Sequence, residues 1–411
     1  MRRLAANLAL ALASVALTLL VLELLAPRLL RHLPLKLHVT LDPYQRVLAQ
    51  SSKRGAVPEP GYVAILGDSF AAGLGDWLLE ADPDANPPFH TAHVLHDLLG
   101  RDVVSFGRSG DGSMNAWVKR PLRTLAFLAG TRFALPQPGV FVAYFYEGND
   151  LKDNLRELRT RLRGSDAAEA ALRRDPAAFA RFLDREFART RHPGRAAATL
   201  YDRLIIARVV HRTLVHAIRG WPHGPARRPL VTGDANRAWI GGREVALPQP
   251  IQTAAVHLDP DEVATALQVL DHSMRFLRAR MPDVPILLVF VPAALTTYPI
   301  VSAEVMVRPR KREPDVVERH PRAAVAARSN FVCGSLARLA QSLDIGFVDA
   351  RERLWPLARE QLIHGPRDYS HFNRAGYTAL AHAIAEALAE DPLRRAPCVD
   401  VATWYRAARL E

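Results

Sequence analysis

Two short segments, far apart in the chain, carry the residue types of a Ser–His–Asp constellation. Gly67-Asp68-Ser69 follows an apolar run, and Asp368 precedes His371 by three residues near the C-terminus. In such a constellation a hydroxyl attacks a carbonyl carbon, the histidine takes its proton, and the carboxylate holds the histidine. Taken singly, a Gly-Asp-Ser turn and a histidine at a helix start are ordinary features. We interpret Ser69 as the candidate nucleophile, His371 as its base and Asp368 as the orienting carboxylate.

Two further segments supply donors for a developing oxyanion. Gly107 follows a second apolar run, and because it lacks a Cβ its N–H can approach a substrate closely. Asn149 follows a third apolar run and carries a side-chain amide. One such donor contributes about 10²–10³ in turnover. Gly110 is an alternative to Gly107, and alone each residue is also compatible with an ordinary turn.

The candidate residues are predicted to lie at the carboxyl ends of parallel strands, where open α/β sheets bind ligands. Strands and helices alternate, which predicts a sheet with helices on both faces. The predicted strands are Tyr62–Leu66, Val103–Phe106, Val140–Tyr146, Ile286–Val291 and Gly346–Asp349. The predicted helices are Thr91–Leu99, Asn115–Leu128, Asp261–Arg280, Asn330–Leu343 and Arg374–Glu390, the last with Asn373 as its N-cap.

A basic insertion over about residues 151–250 interrupts this alternation. Ala168–Leu183 and Ala198–Ile218 have helical spacing, and Trp239–Val245 indicates a hairpin. Residues 151–228 hold 18 Lys or Arg against 8 Asp or Glu, so they account for most of the net charge of +12. A basic face attracts anionic lipid or acidic polysaccharide. A solvated, arginine-rich helical surface has the same composition.

The first 30 residues predict a membrane segment. Arg2 and Arg3 precede an apolar run from Leu4 to Leu22, which is long enough to cross a bilayer. The basic pair favours a cytoplasmic N-terminus and export of the rest. A cleaved signal peptide is the main alternative, and a buried soluble helix is the third. We expect a single-pass anchor in the inner (cytoplasmic) membrane with a periplasmic domain, a compartment that excludes nucleic acid as a partner.

The remaining chain is predicted to hold one large domain. Residues 31–60 read as a linker, residues 61–400 as the domain with its insertion, and residues 401–411 as a tail. Outside the cytoplasm Cys333 and Cys398 can oxidise, but the sequence leaves open whether they pair. We expect no cofactor and no metal. His90, His93 and His96 recur every third residue and so spread around a helix, which disfavours a shared zinc site.

The four segments resemble the conserved blocks of the SGNH, or GDSL, hydrolase family. This resemblance implies a flavodoxin-like three-layer α/β/α domain and a serine esterase mechanism. It makes Ser69 the nucleophile, His371 the general base and Asp368 its orienting partner. It also implies an oxyanion hole formed by the Ser69 N–H, the Gly107 N–H and the Asn149 amide.

The resemblance spans residues 63–377 without the insertion, and it departs from the family at two positions. Glu147 stands two positions before Asn149, where the family usually has glycine, and Phe70 replaces the commoner leucine. The resemblance implies an ester hydrolase or O-acyltransferase. With the anchor, we expect an O-acetylated envelope polysaccharide or exopolysaccharide as substrate. The alternatives are a lysophospholipase or lipase acting on lipid, and a catalytically silent saccharide-binding module. The acyl group, the acceptor and the oligomeric state stay open.

Overall fold

A computed structural model describes residues 2–88, 90–191, 204–220, 231–249, 251–307 and 317–407. Within these ranges, strands and helices alternate before and after a mainly helical insertion. The strands are β1 (Val63–Leu66), β2 (Val103–Ser105), β3 (Val140–Tyr146), β4 (Val231–Ile240), β5 (Arg243–Gln249), β6 (Ile286–Val291), β7 (Glu304–Val307), β8 (Glu318–Pro321) and β9 (Gly346–Asp349). The helices are α1 (Arg2–Leu30), α2 (Asp76–Glu80), α3 (His90–Leu99), α4 (Arg120–Ala129), α5 (Asp150–Arg161), α6 (Asp166–Arg174), α7 (Pro176–Arg191), α8 (Ile205–Arg219), α9 (Pro260–Arg280), α10 (Ala294–Thr297), α11 (Arg322–Ser342), α12 (Arg351–Glu360), α13 (Arg374–Glu390) and α14 (Val401–Ala407).

A five-stranded parallel sheet forms the centre of the domain. Its order is β2-β1-β3-β6-β9, with all four strand pairs parallel. Numbered along the sheet's own strands, this is 2-1-3-4-5, the flavodoxin-like order. The predicted α/β class with a parallel sheet is confirmed, and β3, β6 and β9 have their predicted bounds.

The strands are apolar because both faces of the sheet are covered. Successive residues of β1 point to opposite faces: Val63 and Ile65 pack with α3, α12 and α13, whereas Ala64 and Leu66 pack with α9 and α11. The sheet therefore lies between two helical layers, which gives the expected three-layer α/β/α arrangement.

The insertion contains helices and a hairpin. The predicted helix Ala168–Leu183 is interrupted at Asp175, which is extended, and Pro176 then begins α7. Proline suits this first helical position and disfavours helix in the residue before it. The predicted helix Ala198–Ile218 is found as α8, with residues 198–203 outside the described ranges. The predicted hairpin is confirmed as the antiparallel pair β4–β5.

The N-terminal apolar run forms α1, one helix of 29 residues with a mean hydropathy of 2.5 over its best window. At about 1.5 Å per residue it exceeds the roughly 30 Å hydrocarbon core of a bilayer. It is a candidate membrane anchor or signal sequence. The following residues, expected as a linker, pack on the domain through short helical turns at Leu35–Thr40 and Arg46–Ala49, with Leu41 and Leu48 fully buried.

Two features near the C-terminus join the last residues to the domain. Cys333 of α11 forms a disulfide with Cys398, with 6.1 Å between their Cα atoms. Residues 401–407, expected to begin a tail, form α14, in which Val401 and Tyr405 are buried. The pairing that the sequence left open is thus present in the structure.

Candidate active site

Ser69 lies on a tight turn directly after β1. Gly67 leaves the strand with φ of +155°, and a Cβ there would lie 2.9 Å from the Ala71 Cβ. The turn closes when the Leu74 N–H donates to the Ser69 carbonyl at 3.0 Å. The positive φ and the close Ala71 contact at position 67 require glycine where the strand enters the turn. Ser69 itself is 4% exposed.

Asp68 is the immediate partner of the Ser69 hydroxyl. Ser69 Oγ donates to Asp68 Oδ2 at 3.0 Å, and the Phe70 N–H donates to Asp68 Oδ1 at 2.9 Å. Burial raises the pKa of Asp68 despite these hydrogen bonds. The Asp68 carboxyl therefore holds both the backbone of the turn and the Ser69 hydroxyl.

His371 and Asp368 form the expected pair on the loop before α13. His371 Nδ1 lies 2.6 Å from Asp368 Oδ2, and the Ser370 N–H donates to Asp368 Oδ1 at 2.9 Å. Burial works to raise the pKa of Asp368, but the hydrogen bonds from His371 and the Ser370 N–H, together with the nearby histidine charges, hold that pKa below its usual value. Asp368 is thus an ionised acceptor that directs the other ring nitrogen away from itself. The predicted N-cap is confirmed, since Asn373 accepts from the Gly376 N–H at 3.2 Å.

Three of the predicted residues line one small cavity of about 160 Å³ at the carboxyl end of the sheet. Ser69, Asn149 and His371 all line it, and Asp368 lies behind His371. The complete lining is Ser69, Ser109, Gly110, Asn149, Lys152, Gln252, Ser370 and His371. A serine, a histidine paired with a carboxylate, and an asparagine therefore border one small space.

The two candidate glycines have different surroundings. Gly110, with φ of +75°, lines the cavity of Ser69. Gly107 lines a neighbouring cavity instead, and its N–H donates to Ser105 Oγ at 3.2 Å. A Cβ at Gly107 would lie 2.3 Å from the backbone nitrogen of Ala72, in the turn that follows Ser69. Gly107 thus allows close packing against that turn, whereas Gly110 borders the site.

Asn149 sits at the N-cap of α5 with its amide held in place. Its Nδ2 donates to Asp153 Oδ2 at 3.1 Å. An amide nitrogen carries two hydrogens, so the other is available to a ligand. Asp153, 1% exposed and one turn into α5, therefore orients the Asn149 amide.

Aromatic packing fixes the histidine loop against the serine turn. The Phe70 ring lies 4.1 Å from the Tyr146 ring and 5.2 Å from the His371 ring, measured between centroids. Tyr146 Oη donates to the Ser370 carbonyl at 3.2 Å. Phenylalanine at position 70, a departure from the family pattern, fills the space between the serine turn and the histidine loop.

The second departure, Glu147, supports a neighbouring chain segment. Its Oε2 accepts from the Ala293 N–H at 2.9 Å and from the Thr296 hydroxyl, both near the start of α10. Burial raises the pKa of Glu147. Glu147 therefore joins the end of β3 to the segment after β6, outside the lining of the small cavity.

Three residues at or behind the site had no sequence signal. Lys152 and Gln252 line the cavity. In the sequence, Lys152 is one of many basic residues in the insertion and Gln252 lies in an irregular stretch, so neither position was distinctive. Asp76 accepts from the backbone N–H groups of Arg367 and Asp368 at 3.0 and 2.8 Å. Each of these positions becomes meaningful only through residues far away in the chain.

One group of potential metal ligands occurs among the described residues, formed by Cys333, Asp349 and Cys398. Its two sulfurs are joined as a disulfide and so are not available as thiolates. This group is therefore a structural cross-link beside a buried carboxylate.

Comparisons with known proteins give limited information. The chain matches no family model and no curated protein. One solved crystal structure is 14% identical, covers 80% of this chain and 97% of its own, and has a TM-score of 0.33. A carbohydrate esterase family 2 enzyme with a carbohydrate-binding domain, from Corynascus thermopiles (Myceliophthora fergusii), is 13% identical, with 81% of this chain and 67% of that chain covered and a TM-score of 0.32. At these values neither likeness supports a family or a function.

Proposed function

We propose that this protein is a serine esterase, acting as an acyl-ester hydrolase or O-acyltransferase through Ser69, His371 and Asp368. One observation carries the proposal: His371, held 2.6 Å from Asp368 through Nδ1, faces the same 160 Å³ cavity as Ser69 and Asn149. A nucleophile, an oriented base and an amide donor are the parts that acyl transfer needs.

The reaction begins when Ser69 Oγ attacks the ester carbonyl carbon. His371 Nε2 accepts the hydroxyl proton, because Nδ1 is engaged by Asp368. In the free protein the Ser69 hydroxyl donates to Asp68, so it must turn toward His371 before attack. Catalytic hydrogen bonds commonly reach their working geometry only when substrate is bound. The ester C–O bond then breaks, His371 returns its proton to the leaving alcohol, and an acyl-Ser69 ester remains. Water or a sugar hydroxyl takes the acyl group in the second half of the reaction.

We assign the oxyanion hole to the Ser69 N–H, the Gly110 N–H and the free amide hydrogen of Asn149. Gly110 takes the role first expected of Gly107, because it borders the cavity while the Gly107 N–H is engaged by Ser105. Asp153 keeps the Asn149 amide in its orientation before substrate arrives. Such preorganisation lets the donors stabilise charge as it develops.

The size and lining of the cavity support a short acyl group on a polar substrate. Its 160 Å³ is below the roughly 300 Å³ at which pockets for larger ligands begin. An acetyl group fits this space better than a long acyl chain. Its polar lining, which includes Ser109, Lys152 and Gln252, suits the hydroxyl groups of a sugar. We therefore favour an O-acetylated envelope polysaccharide or exopolysaccharide over a lipid.

The proposed location is the inner membrane, with the catalytic domain outside the cytoplasm. Two features support this topology: the apolar helix α1, which begins with Arg2 and Arg3, and the disulfide between Cys333 and Cys398. Disulfides persist in oxidising compartments. The proposed substrate, an envelope polysaccharide or exopolysaccharide, would lie on the same side.

The test uses the full-length protein in detergent and p-nitrophenyl esters of increasing chain length. We expect acetate to be the best substrate, and Ser69→Ala to reduce kcat on the order of 10⁴–10⁶-fold. Ser335→Ala is the matched control, because Ser335 lies on α11 and its Oγ donates to Phe331 of the same helix. A serine-directed phosphonate should label Ser69. Equal activity of Ser69→Ala and the wild type would refute the proposal, and a maximum at long chains with activation by vesicles would favour the lipid alternative.

A further inference from the structure

Helix α8 presents an apolar stripe on its outward face. Val210, Leu214 and Ile218 are 41, 59 and 84% exposed, and their spacing of four residues places them on one side of the helix. A helix on the surface of a soluble domain normally turns polar side chains to solvent. The outward face of α8 is therefore apolar where a polar face is expected.

Contacts on the inward face of α8 set the orientation of this helix on the domain. Ile205 and Val209 are buried in the core that covers one face of the sheet. Arg208 is also buried, and its guanidinium lies 3.0 Å from an Asp42 carboxylate oxygen. Because these contacts hold the opposite side of the helix, Val210, Leu214 and Ile218 point away from the domain.

The first turn of α8 joins the end of the apolar run of α1. Glu23, directly after Leu22, accepts from the Ile205 N–H at 3.1 Å and from the Ala207 N–H at 2.9 Å. Glu23 is 5% exposed and therefore caps the N-terminus of α8 as a buried carboxylate. Residues of α1 before this point, such as Leu12 and Leu20, are more than half exposed. The apolar stripe thus begins within one or two turns of the place where α1 would leave the bilayer.

We propose that α8 lies in the membrane interface, with Val210, Leu214 and Ile218 inserted at the boundary between lipid headgroups and acyl chains. The inference rests on the proposed role of α1 as a membrane anchor. Amphipathic helices bind membranes through such an apolar face. Helix α8 contains no acidic residue that would repel anionic headgroups, and its buried Arg208 is engaged by Asp42 on the inward side.

This second attachment has a consequence for the catalytic domain. A single spanning helix leaves the attached domain free to turn about the helix axis, whereas α1 and α8 together would hold it in one orientation. The cavity at Ser69 then stays at a constant height and direction relative to the membrane. An exported polymer close to the membrane would meet the site in a defined geometry.

The experiment uses single-cysteine variants of the full-length protein in lipid nanodiscs. Both native cysteines are paired, so an added cysteine can be labelled selectively with an environment-sensitive fluorophore. Ile218→Cys reports on α8 and Leu12→Cys on α1. Leu98→Cys is the matched control, because Leu98 is an exposed apolar residue, 44% exposed, on α3, which packs against the other face of the sheet. The nanodiscs contain phosphatidylcholine and phosphatidylglycerol. Spin-labelled lipid is added as the quencher and left out in the reference sample.

We expect spin-labelled lipid to quench the label at position 218 several-fold more than the label at position 98, and Leu214→Ser to weaken that quenching. Quenching at 218 no greater than at 98, with strong quenching at 12, would overturn the role of α8 and leave the anchor intact. Weak quenching at 12 would overturn the anchor, and the α8 proposal with it. Quenching at 218 by a second labelled copy and not by lipid would identify a protein interface and overturn the membrane proposal.

Discussion

Asp76 Oδ1 accepts a hydrogen bond from the backbone N–H of Asp368 at 2.8 Å, across 292 residues of sequence. Asp76 begins α2, shortly after the turn that carries Ser69, and Asp368 holds His371. The same carboxylate accepts from the Arg367 N–H at 3.0 Å. The serine segment and the histidine loop are therefore joined by direct hydrogen bonds to the buried Asp76 carboxylate, and we expect the separation between Ser69 and His371 to depend on them.

Asp76→Ala should weaken the attachment of the histidine loop to the serine segment. Two backbone N–H groups lose their acceptor, and each buried donor left without a partner costs about 1–3 kcal/mol. We expect a lower free energy of unfolding in urea and a lower kcat in the folded protein, with KM little changed. Asp76→Asn keeps an acceptor oxygen and should lose less of both quantities. Equal stability of the alanine variant and the wild type would contradict this role.

The pair Asp368–His371 predicts a pH-dependent contribution to stability. The pKa of Asp368 is held below its usual value in the folded protein. Its contribution is therefore complete above about pH 4, the usual carboxyl range, and disappears as the pH falls through the lower folded-state value. The stability difference between wild type and Asp368→Asn, measured in urea, should shrink in acid. Asp283→Asn, at an exposed aspartate, serves as the control. A difference that stays constant down to low pH would contradict the assignment.

The two glycines of the segment after β2 should respond differently to alanine. At Gly107 the new Cβ would lie 2.3 Å from the Ala72 nitrogen, so Gly107→Ala should lower the melting temperature. At Gly110 the nearest atom is 3.7 Å away, but φ of +75° is costly for alanine by about 1–2 kcal/mol, so the backbone should turn its N–H away. Gly110→Ala should therefore reduce kcat per folded molecule. Full kcat in Gly110→Ala would return the oxyanion role to Gly107.

Asn149→Ala should reduce kcat by about 10²–10³ with little change in KM, because the lost donor acts mainly in the transition state. Asp153→Ala should have a smaller effect in the same direction, since the amide remains but loses the acceptor at 3.1 Å that orients it. Steady-state kinetics with an acetyl ester measures both variants. If Asn149→Ala changes only KM, its amide binds substrate without stabilising the oxyanion.

The disulfide between Cys333 and Cys398 should be a major source of stability. It closes a separation of 65 residues, and loss of a native disulfide typically costs about 2–5 kcal/mol. Cys398→Ala should lower the free energy of unfolding in urea by an amount in this range. A reducing agent should bring the wild type to the stability of the variant and leave the variant unchanged. Sensitivity of the variant to the reducing agent would indicate another target.

Much of the fold follows from local pattern. The continuous apolar runs at Val140–Tyr146 and Ile286–Val291 have the composition of strands buried on both faces, and both bounds agree with the structure. The interruption at Asp175 was less visible, because the alanine-rich stretch on both sides of it has helical spacing. Proline at position 176 starts a new helix there.

The sequence by itself determined the features that depend on neighbouring residues: the parallel α/β order, the apolar N-terminal helix, and the pairing of Asp368 with His371 three positions later. Only the tertiary structure decided which glycine borders the cavity and that Asp76 holds the histidine loop. The same holds for the partner of Cys333 and the outward apolar face of α8. The physical reason is that hydrophobic periodicity and residue spacing describe contacts within one element. Contacts between distant elements arise when the sheet brings its carboxyl ends together, and no local pattern specifies them.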